Sequence, residues 1–287
     1  MPTAIIAFDF DPLLRLADGL VVRWQTVALV AIIAAALVIA GLIARREGLR
    51  PDDLLFIAVA TVPGAVFGGR LGYVLLHVDY YAANTGAIVD PGQGSLELGL
   101  AVVGGLLSGS YVAALLGAPF GHWLRTAALP LLFVLGAGKL AMVLGGSGQG
   151  QPSDLAWATA FVGAGPWGSL APELPSHPSQ AYEGIATLVI LTVLTLAVAA
   201  EGFQARDGRL FAVALGAWAV ARAAISLTWR DPTAIGGLSA GGLIAAAIAL
   251  GCLVAFIAVV RRRPGSRDPE AAHPEVTWAD PETRPRF

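Results

Sequence analysis

Seven long apolar segments dominate this 287-residue chain. Each holds about 20 residues or more, which at roughly 1.5 Å per residue lets a helix cross the hydrocarbon of a bilayer. The predicted spans are Leu20–Ala44, Leu54–Leu76, Leu98–Phe120, Thr126–Gly146, Ala181–Ala200, Leu210–Trp229 and Ile235–Val260. The sequence therefore predicts an all-α, polytopic membrane protein with seven transmembrane helices.

The composition excludes several other classes of protein. Hydrophobic residues make up 56% of the chain and charged residues 13%, against roughly 45–50% and 25% in soluble domains. A net charge of −2 gives no bulk attraction to nucleic acid, so no nucleic-acid partner is expected. The single cysteine, Cys252, excludes a disulfide framework and a cysteine-built zinc site. No metal or cofactor is expected.

Arginines near the ends of the spans predict the orientation in the membrane. Seven spans would bring one group to the same side: Arg45, Arg46, Arg50, Arg125, Arg206, Arg209, Arg261, Arg262 and Arg263. The positive-inside rule makes that side cytoplasmic, with the N-terminus outside and the C-terminus in the cytoplasm. Residues 1–19 are then a short extracytoplasmic segment and 20–260 the seven-helix domain. Residues 261–287, basic and rich in proline, are predicted to be a disordered cytoplasmic tail.

Four basic side chains lie within the predicted spans or at their ends, namely Arg70, Lys139, Arg222 and Arg230. Charge inside a bilayer is costly and usually marks a functional site. Counted along the helices from the cytoplasmic side, all four fall in the outer half of the membrane. Arginine can donate two parallel hydrogen bonds to a phosphate. One interpretation is therefore a shared anion site for a phospholipid headgroup.

The same residues admit a structural interpretation. Glu97, Glu183 and Asp231 lie at a similar depth and could form ion pairs with the cations, or the arginines could extend toward the headgroups. Closely spaced glycines, including Gly104 and Gly105, could serve close helix packing. A crevice wide enough for an acyl chain is compatible with that packing. The sequence leaves both interpretations open.

Two motifs carry a specific resemblance. Residues 68–74 read GGRLGYV in the second span, and residues 177–184 read HPSQAYEG at the start of the fifth. In this order and spacing they resemble the bacterial phosphatidylglycerol–prolipoprotein diacylglyceryl transferase family, whose members have seven spans with the N-terminus outside. Arg222 and the run Arg-Asp-Pro at 230–232 resemble two arginines around the sixth helix of that family. The likeness extends over residues 20–260.

The resemblance implies transfer of a diacylglyceryl group from phosphatidylglycerol to the lipobox cysteine of a prolipoprotein, at the outer face of the bacterial plasma membrane. We expect catalytic roles for Arg70 and Arg230. Substrate-binding roles are expected for Lys139, Arg222, His177, Gln180, Tyr73, Glu183, Gly104 and Gly105. Nearby cations would stabilise the leaving phosphate and lower the pKa of the attacking thiol.

Several positions depart from the family pattern. Val103 replaces a third-helix histidine that has been proposed as catalytic in the family, and Lys139 replaces an arginine. Two asparagines, a tyrosine and a glutamate of the family are replaced by Met142, Gly145, Gln25 and Ser147. These differences keep open an alternative function, a catalytically inactive paralogue that binds anionic phospholipid or lipoprotein precursors.

Another histidine could act as the base in place of the third-helix histidine that Val103 replaces. His177 is the nearest candidate in the sequence, although a structural role in capping the fifth span or bonding the outer loop is favoured over a catalytic one. His77 is expected to be solvated on an outer loop, and His122 falls on the cytoplasmic side. A third class, a transporter or receptor-like seven-helix protein, would need two matching broken helices, which the sequence does not show.

Overall fold

The computed structural model describes residues 5–17, 19–90 and 94–261. Within these ranges, seven helices are long and apolar enough to cross a membrane, which confirms the predicted class. The α-helices are α1 Trp24–Arg46, α2 Pro51–Leu76, α3 Val78–Ala83, α4 Leu98–Leu115, α5 Phe120–Ala141, α6 Ser179–Ala199, α7 Arg209–Ile225 and α8 Ala240–Arg261. Residues 262–287, which hold nearly all of the predicted tail, lie outside the described residues.

The described residues also form six short strands, which the all-α prediction did not include. β1 (Ile6–Phe8) pairs in parallel with β4 (Thr159–Phe161), so the N-terminal segment packs on the loop between α5 and α6. Two antiparallel pairs lie elsewhere. They are β2 (Leu13–Ala17) with β3 (Leu20–Arg23), and β5 (Thr233–Ile235) with β6 (Leu238–Ser239). All of these strands adjoin the end of the bundle where α1 begins and α7 ends.

Three predicted span boundaries were wrong. Leu20 belongs to β3, so the first span begins at Trp24, and the last begins at Ala240 after the β5–β6 hairpin. Phe120 starts α5 instead of ending the third span, because Gly117 interrupts the helical path with a φ of +63°. Apolar residues continue across each of these turns, and hydrophobicity alone therefore extends the helix past its end.

Helices α2 and α4 approach each other through glycines. A Cβ built on Gly64 would overlap the carbonyl oxygen of Gly104, and a Cβ on Gly104 would overlap the carbonyl oxygen of Gly64. A Cβ built on Gly68 would likewise overlap the carbonyl oxygen of Leu100. The two backbones are thus in direct contact. The close-packing interpretation is confirmed for Gly104.

We expect Gly64→Ala to destabilise the protein by about 1–3 kcal/mol, because the new methyl group would force α2 and α4 apart. Gly251→Ala is the matched control, since a Cβ there meets nothing within 4 Å in α8. The measurement is the melting temperature of each variant in detergent. Equal melting temperatures for the two variants would contradict this packing.

At one end of the bundle, Glu47 joins three segments of the chain. Its Oε2 lies 3.0 Å from Nε of Arg206 and 3.3 Å from Nε2 of His122, and its Oε1 contacts Nη1 of Arg125. Arg125 also donates from Nε to the carbonyl of Phe203 at 3.1 Å. Burial would raise the pKa of Glu47, but Arg125, Arg206 and His122 outweigh burial and hold that pKa below its usual value.

Acidification is expected to remove the stabilisation that Glu47 provides. Because the pKa of Glu47 is lower in the folded than in the unfolded chain, its contribution is present above the unfolded pKa and is lost as pH falls through the folded one. Glu47→Gln should therefore melt at a lower temperature than the wild type at pH 7. The gap between the two should close below about pH 4. A gap of constant size across this range would contradict the network.

Candidate functional site

The candidate site lies at the end of the bundle opposite Glu47, where α4 and α6 begin and α5 and α7 end. Lys139 lies in the last turn of α5 and Arg222 in the last turn of α7. Glu183 lies in the second turn of α6, and Glu97 is the residue that caps α4. Antiparallel packing brings these four helix ends together, so residues distant in the sequence meet in one place.

Two cations and two carboxylates form a buried charge network there. Nη1 of Arg222 donates to the two carboxylate oxygens of Glu183 at 2.7 and 2.9 Å, and Nη2 donates to Oε1 of Glu97 at 3.3 Å. Nζ of Lys139 lies 3.0 Å from Oε2 of Glu183. Arg222 is 5% exposed and Glu183 1%. The ion-pair interpretation is therefore confirmed for Arg222, and Lys139 shares the carboxylate of Glu183 with it.

Other contacts hold this network in place. The side chain of Glu97 accepts hydrogen bonds from the backbone N–H groups of Gly99 at 2.8 Å and Leu100 at 2.6 Å, which satisfies the first turn of α4. The guanidinium of Arg222 lies 4.6 Å from the ring centre of Trp229, a cation–π distance. Both ends of the Arg222–Glu97 pair are thus fixed by groups outside the pair.

A cavity of about 340 Å³ opens beside the network, and we call it the polar cavity. Its polar lining consists of Tyr73, His77, Ser95, Glu97, Lys139, Arg222 and Asp231. Nε of Arg222 is buried and has no hydrogen-bond partner among the described residues. A buried donor without an acceptor is costly. Arg222 therefore carries one buried donor that the ion pairs leave unsatisfied.

A second cavity, of about 350 Å³, is lined almost entirely by apolar side chains of α2, α4, α5 and α7, and we call it the apolar cavity. Gly105, predicted as a binding residue, contributes to its wall together with Val102 and Leu135. Leu98 lines both cavities. A charged space therefore adjoins an apolar one, which matches a molecule with an anionic head and a hydrocarbon tail.

Arg70 lies against the loop that follows α2. Its Nε donates to the carbonyl of Ile88 at 2.7 Å, and its Nη2 donates to the carbonyls of Ala87 at 2.5 Å and Asp90 at 3.0 Å. Ala87 and Ile88 belong to the 3₁₀ turn Thr85–Ile88, and Asp90 follows it. Arg70 therefore ties this loop to α2, and it is not among the described residues that line the polar cavity.

Arg230 holds the long loop between α5 and α6 in a similar way. Its Nε donates to the carbonyl of Gly150 at 2.6 Å, its Nη2 donates to Oγ of Ser176 at 2.8 Å, and its Nη1 contacts the carbonyl of Leu170. Of the four predicted cations, the structure thus brings Lys139 and Arg222 together and places the other two against loops on the same end of the bundle.

The HPSQ motif lies at the junction of that loop with α6. The backbone N–H of His177 donates to the carbonyl of Gln151 at 2.9 Å, and its Nδ1 lies 3.4 Å from the hydroxyl of Tyr182. Gln180 is 2% exposed, and its amide nitrogen and oxygen are unpaired within the described part of the chain. Gln180 is therefore the residue of this motif with free hydrogen-bonding capacity.

Three departures from the family pattern touch one another. Oγ of Ser147 donates to Oε1 of Gln25 at 3.3 Å. A Cβ on Gly145 would overlap that same Oε1, so glycine leaves the space that Gln25 fills. These substitutions form one contact set. Val103, by contrast, lies on α4 and is absent from the described residues that line the polar cavity.

His77 and Trp229 line the polar cavity, and sequence reasoning missed both. His77 was predicted to be solvated, and it is exposed, yet it also forms part of the cavity wall. Its position four residues after Tyr73 was an available signal, because residues at that spacing share a helix face. No local pattern distinguished Trp229 from an ordinary interfacial tryptophan.

The seven-span bundle and the buried charged cavity define a multi-pass membrane protein with an internal polar site. Residues 12–258 match the family model described as prolipoprotein diacylglyceryl transferase. The phosphatidylglycerol–prolipoprotein diacylglyceryl transferase of Bordetella avium is 33% identical over 226 residues, which cover 76% of this chain and 80% of the relative. The transferase of Gluconobacter oxydans is 29% identical over 279 residues, 91% and 97% of the two chains. This chain belongs to the prolipoprotein diacylglyceryl transferase family.

Proposed function

We propose that this chain transfers the diacylglyceryl group of phosphatidylglycerol to the lipobox cysteine of prolipoproteins. The observation that carries this proposal is the polar cavity, where Lys139 and Arg222 stand beside an apolar cavity that suits an acyl chain. The curated relatives that cover most of the chain are named for this reaction. Family membership and cavity chemistry support the same substrate class, an anionic lipid.

The reaction joins sulfur to carbon and releases glycerol phosphate. The thiol sulfur attacks the glycerol carbon that is esterified to phosphate, a thioether forms, and the carbon–oxygen bond breaks. The bonding electrons leave with the phosphate oxygen, which therefore gains negative charge. Lys139 and Arg222 supply fixed positive charge at this point, and such preorganised charge is the usual source of large rate effects.

The carboxylates keep the cations in position for this role. Glu183 holds Lys139 and Arg222 at hydrogen-bond distance, and Glu97 holds the second nitrogen of Arg222. We assign to Arg70 and Arg230 a positioning role in which they hold the loops at this end of the bundle. This differs from the catalytic role expected for them, and it is supported by the loop carbonyls that accept from both guanidinium groups and by the hydroxyl of Ser176 that accepts from Arg230.

The proposed substrates also fix the cellular setting. Prolipoprotein signal peptides and phosphatidylglycerol would meet at the outer face of the bacterial plasma membrane. The polar cavity would then face outward, with the N-terminus outside and the C-terminus in the cytoplasm. The arginine-rich loops adjoin the opposite end of the bundle, around Glu47, which supports this orientation through the positive-inside rule.

A second candidate function is a non-catalytic relative that binds anionic phospholipid or lipoprotein precursors. One observation favours it. The two cations of the polar cavity are already paired with two carboxylates, so the formal charge of the network is balanced before any phosphate arrives. Such a site could bind a headgroup without stabilising the additional charge that forms during transfer.

Transfer can be tested with the purified full-length protein in vesicles of phosphatidylglycerol and phosphatidylethanolamine. A lipobox peptide is added, and its mass is measured. We expect the mass to rise by one diacylglyceryl group, with no change for a peptide whose cysteine is replaced by serine or for vesicles without phosphatidylglycerol. Phosphatidylglycerol retained on the protein without modified peptide would establish the binding function instead.

A further inference from the structure

His77 is a titratable side chain of the polar cavity that the proposed reaction has not yet used. It directly follows α2 and lines the cavity together with Tyr73, Lys139 and Arg222. Its imidazole stacks on the ring of Tyr73, with 4.2 Å between ring centres and 27° between ring planes. The histidine is thus held at the cavity wall by its neighbour one helical turn earlier.

A second contact with the same residue fixes the tautomer. Nδ1 of His77 lies 2.8 Å from the carbonyl oxygen of Tyr73. A carbonyl oxygen only accepts hydrogen bonds, so Nδ1 must carry the hydrogen. In the neutral ring the lone pair is then on Nε2. His77 therefore carries an oriented nitrogen that can accept a proton.

The proposed reaction benefits from such a group. A thiol with the ordinary pKa of about 8.5 is only about 3% ionised at pH 7. Val103 provides no base on α4. Of the other histidines in the described ranges, His122 contacts Glu47 at the far end of the bundle. His177 lies in the loop before α6 and contacts Tyr182. The polar cavity contains His77 and neither of these two.

We propose that His77 is the general base that removes the proton from the lipobox thiol, an inference that rests on the proposed transferase function. Nε2 takes the proton from sulfur as the sulfur–carbon bond forms and the carbon–oxygen bond breaks. The electron pair of that bond leaves with glycerol phosphate. The proton then passes from Nε2 to the leaving phosphate or to water, which restores the neutral imidazole.

The titratable groups around His77 come from several elements that line the cavity. They are Tyr73 of α2, Glu97 before α4, Lys139 of α5, Arg222 of α7 and Asp231 before α8. Besides the phenol of Tyr73, two are basic and two acidic, so their formal charges cancel. The pH profile of the wild type is therefore compared with that of a His77 variant, which keeps the same surrounding groups.

His77→Asn tests this role. The asparagine amide can still donate to the carbonyl of Tyr73, but it cannot take up a proton. We expect kcat/KM for the lipobox peptide at pH 7 to fall by about 10²–10⁴-fold, the usual contribution of a general base. Retention of phosphatidylglycerol on the protein should not change. His122→Asn, the same substitution at the far end of the bundle, should keep the wild-type rate.

The pH profile separates a base from a structural role. The rate of His77→Asn should rise about tenfold per pH unit up to about pH 8.5, because the thiol ionises without help. The wild-type rate should depend less steeply on pH over this range, because Nε2 of His77 takes the proton. If His77→Asn does not fold, His77→Ala with added imidazole replaces it, and imidazole should restore a large part of the lost rate.

Two results would overturn the assignment of His77. One is a wild-type kcat/KM in the His77 variants, and the other is a reduced rate that keeps the wild-type pH profile and is not restored by imidazole. Both require an active wild-type protein, so they leave the proposed function intact. A wild-type protein that modifies no peptide would instead overturn the proposed function, and the role of His77 with it.

Discussion

Arg222→Gln is expected to lower kcat/KM for the lipobox peptide by at least about 10²–10³-fold, the loss that accompanies removal of one donor to a developing anion. Arg222 combines four properties in one side chain. It is 5% exposed, it lines the polar cavity, it is held by Glu183 and Glu97, and its Nε is unpaired within the described residues. Steady-state kinetics in phosphatidylglycerol vesicles measure the loss.

Two further variants complete this test. One separates the hydrogen-bond geometry of Arg222 from its positive charge, and the other is a control. Arg222→Lys keeps the positive charge but lacks the planar guanidinium, so we expect it to recover only part of the rate. Arg209→Gln is the matched control on the same helix, since Arg209 is partly exposed and bonds Asp207 at 2.7 Å at the opposite end of α7. Full activity in Arg222→Gln, or equal losses in Arg222→Gln and Arg209→Gln, would contradict the assignment.

Glu183→Gln is expected to destabilise the folded protein by about 3–5 kcal/mol. Glu183 is 1% exposed and contacts both Lys139 and Arg222, so its loss leaves buried positive charge with Glu97 as the one remaining carboxylate of the network. Breaking a buried pair by removing one partner carries a cost of this size. Thermal unfolding in detergent would measure it. Glu173→Gln, at an exposed loop position, is the matched control and should leave stability unchanged.

A double variant sharpens this test. Glu183→Gln combined with Lys139→Met removes one negative and one positive charge, so part of the lost stability should return. The interaction energy between residues in direct contact is typically about 0.5–3 kcal/mol in such cycles. Strictly additive effects of the two substitutions would show that Lys139 and Glu183 do not stabilise each other, in conflict with the 3.0 Å contact between them.

The depth of a residue in the membrane follows from counting along a helix, and this explains what the sequence predicted well. A rise of about 1.5 Å per residue placed Lys139 and Arg222 at similar depths in two helices that run in the same direction, and the structure brings them to the same carboxylate. Rotation about the helix axis is not encoded in the count. Which carboxylate each cation would meet was therefore left open among Glu97, Glu183 and Asp231.

Arg70 and Arg230 show where counting fails. Arg70 lies in α2 six residues before its end and Arg230 lies in the loop after α7. From such places a long side chain can reach either the cavity or a loop, and the acceptors come from segments 17 to 80 residues away in the chain. Loop carbonyls have no signature in the sequence. The β1–β4 pair could not be predicted for a similar reason. Residues 6–8 bond with residues 159–161, which are far away in the sequence.

Transfer is tested most directly by measuring the glycerol phosphate that the full-length protein releases from phosphatidylglycerol, with and without a lipobox peptide. We expect release only when the peptide is present, in an amount equal to the thioether-linked product. Product formation should fall with Arg222→Gln and remain with Arg209→Gln. No release in the presence of peptide, or equal release without it, would contradict the claim that this chain is a diacylglyceryl transferase.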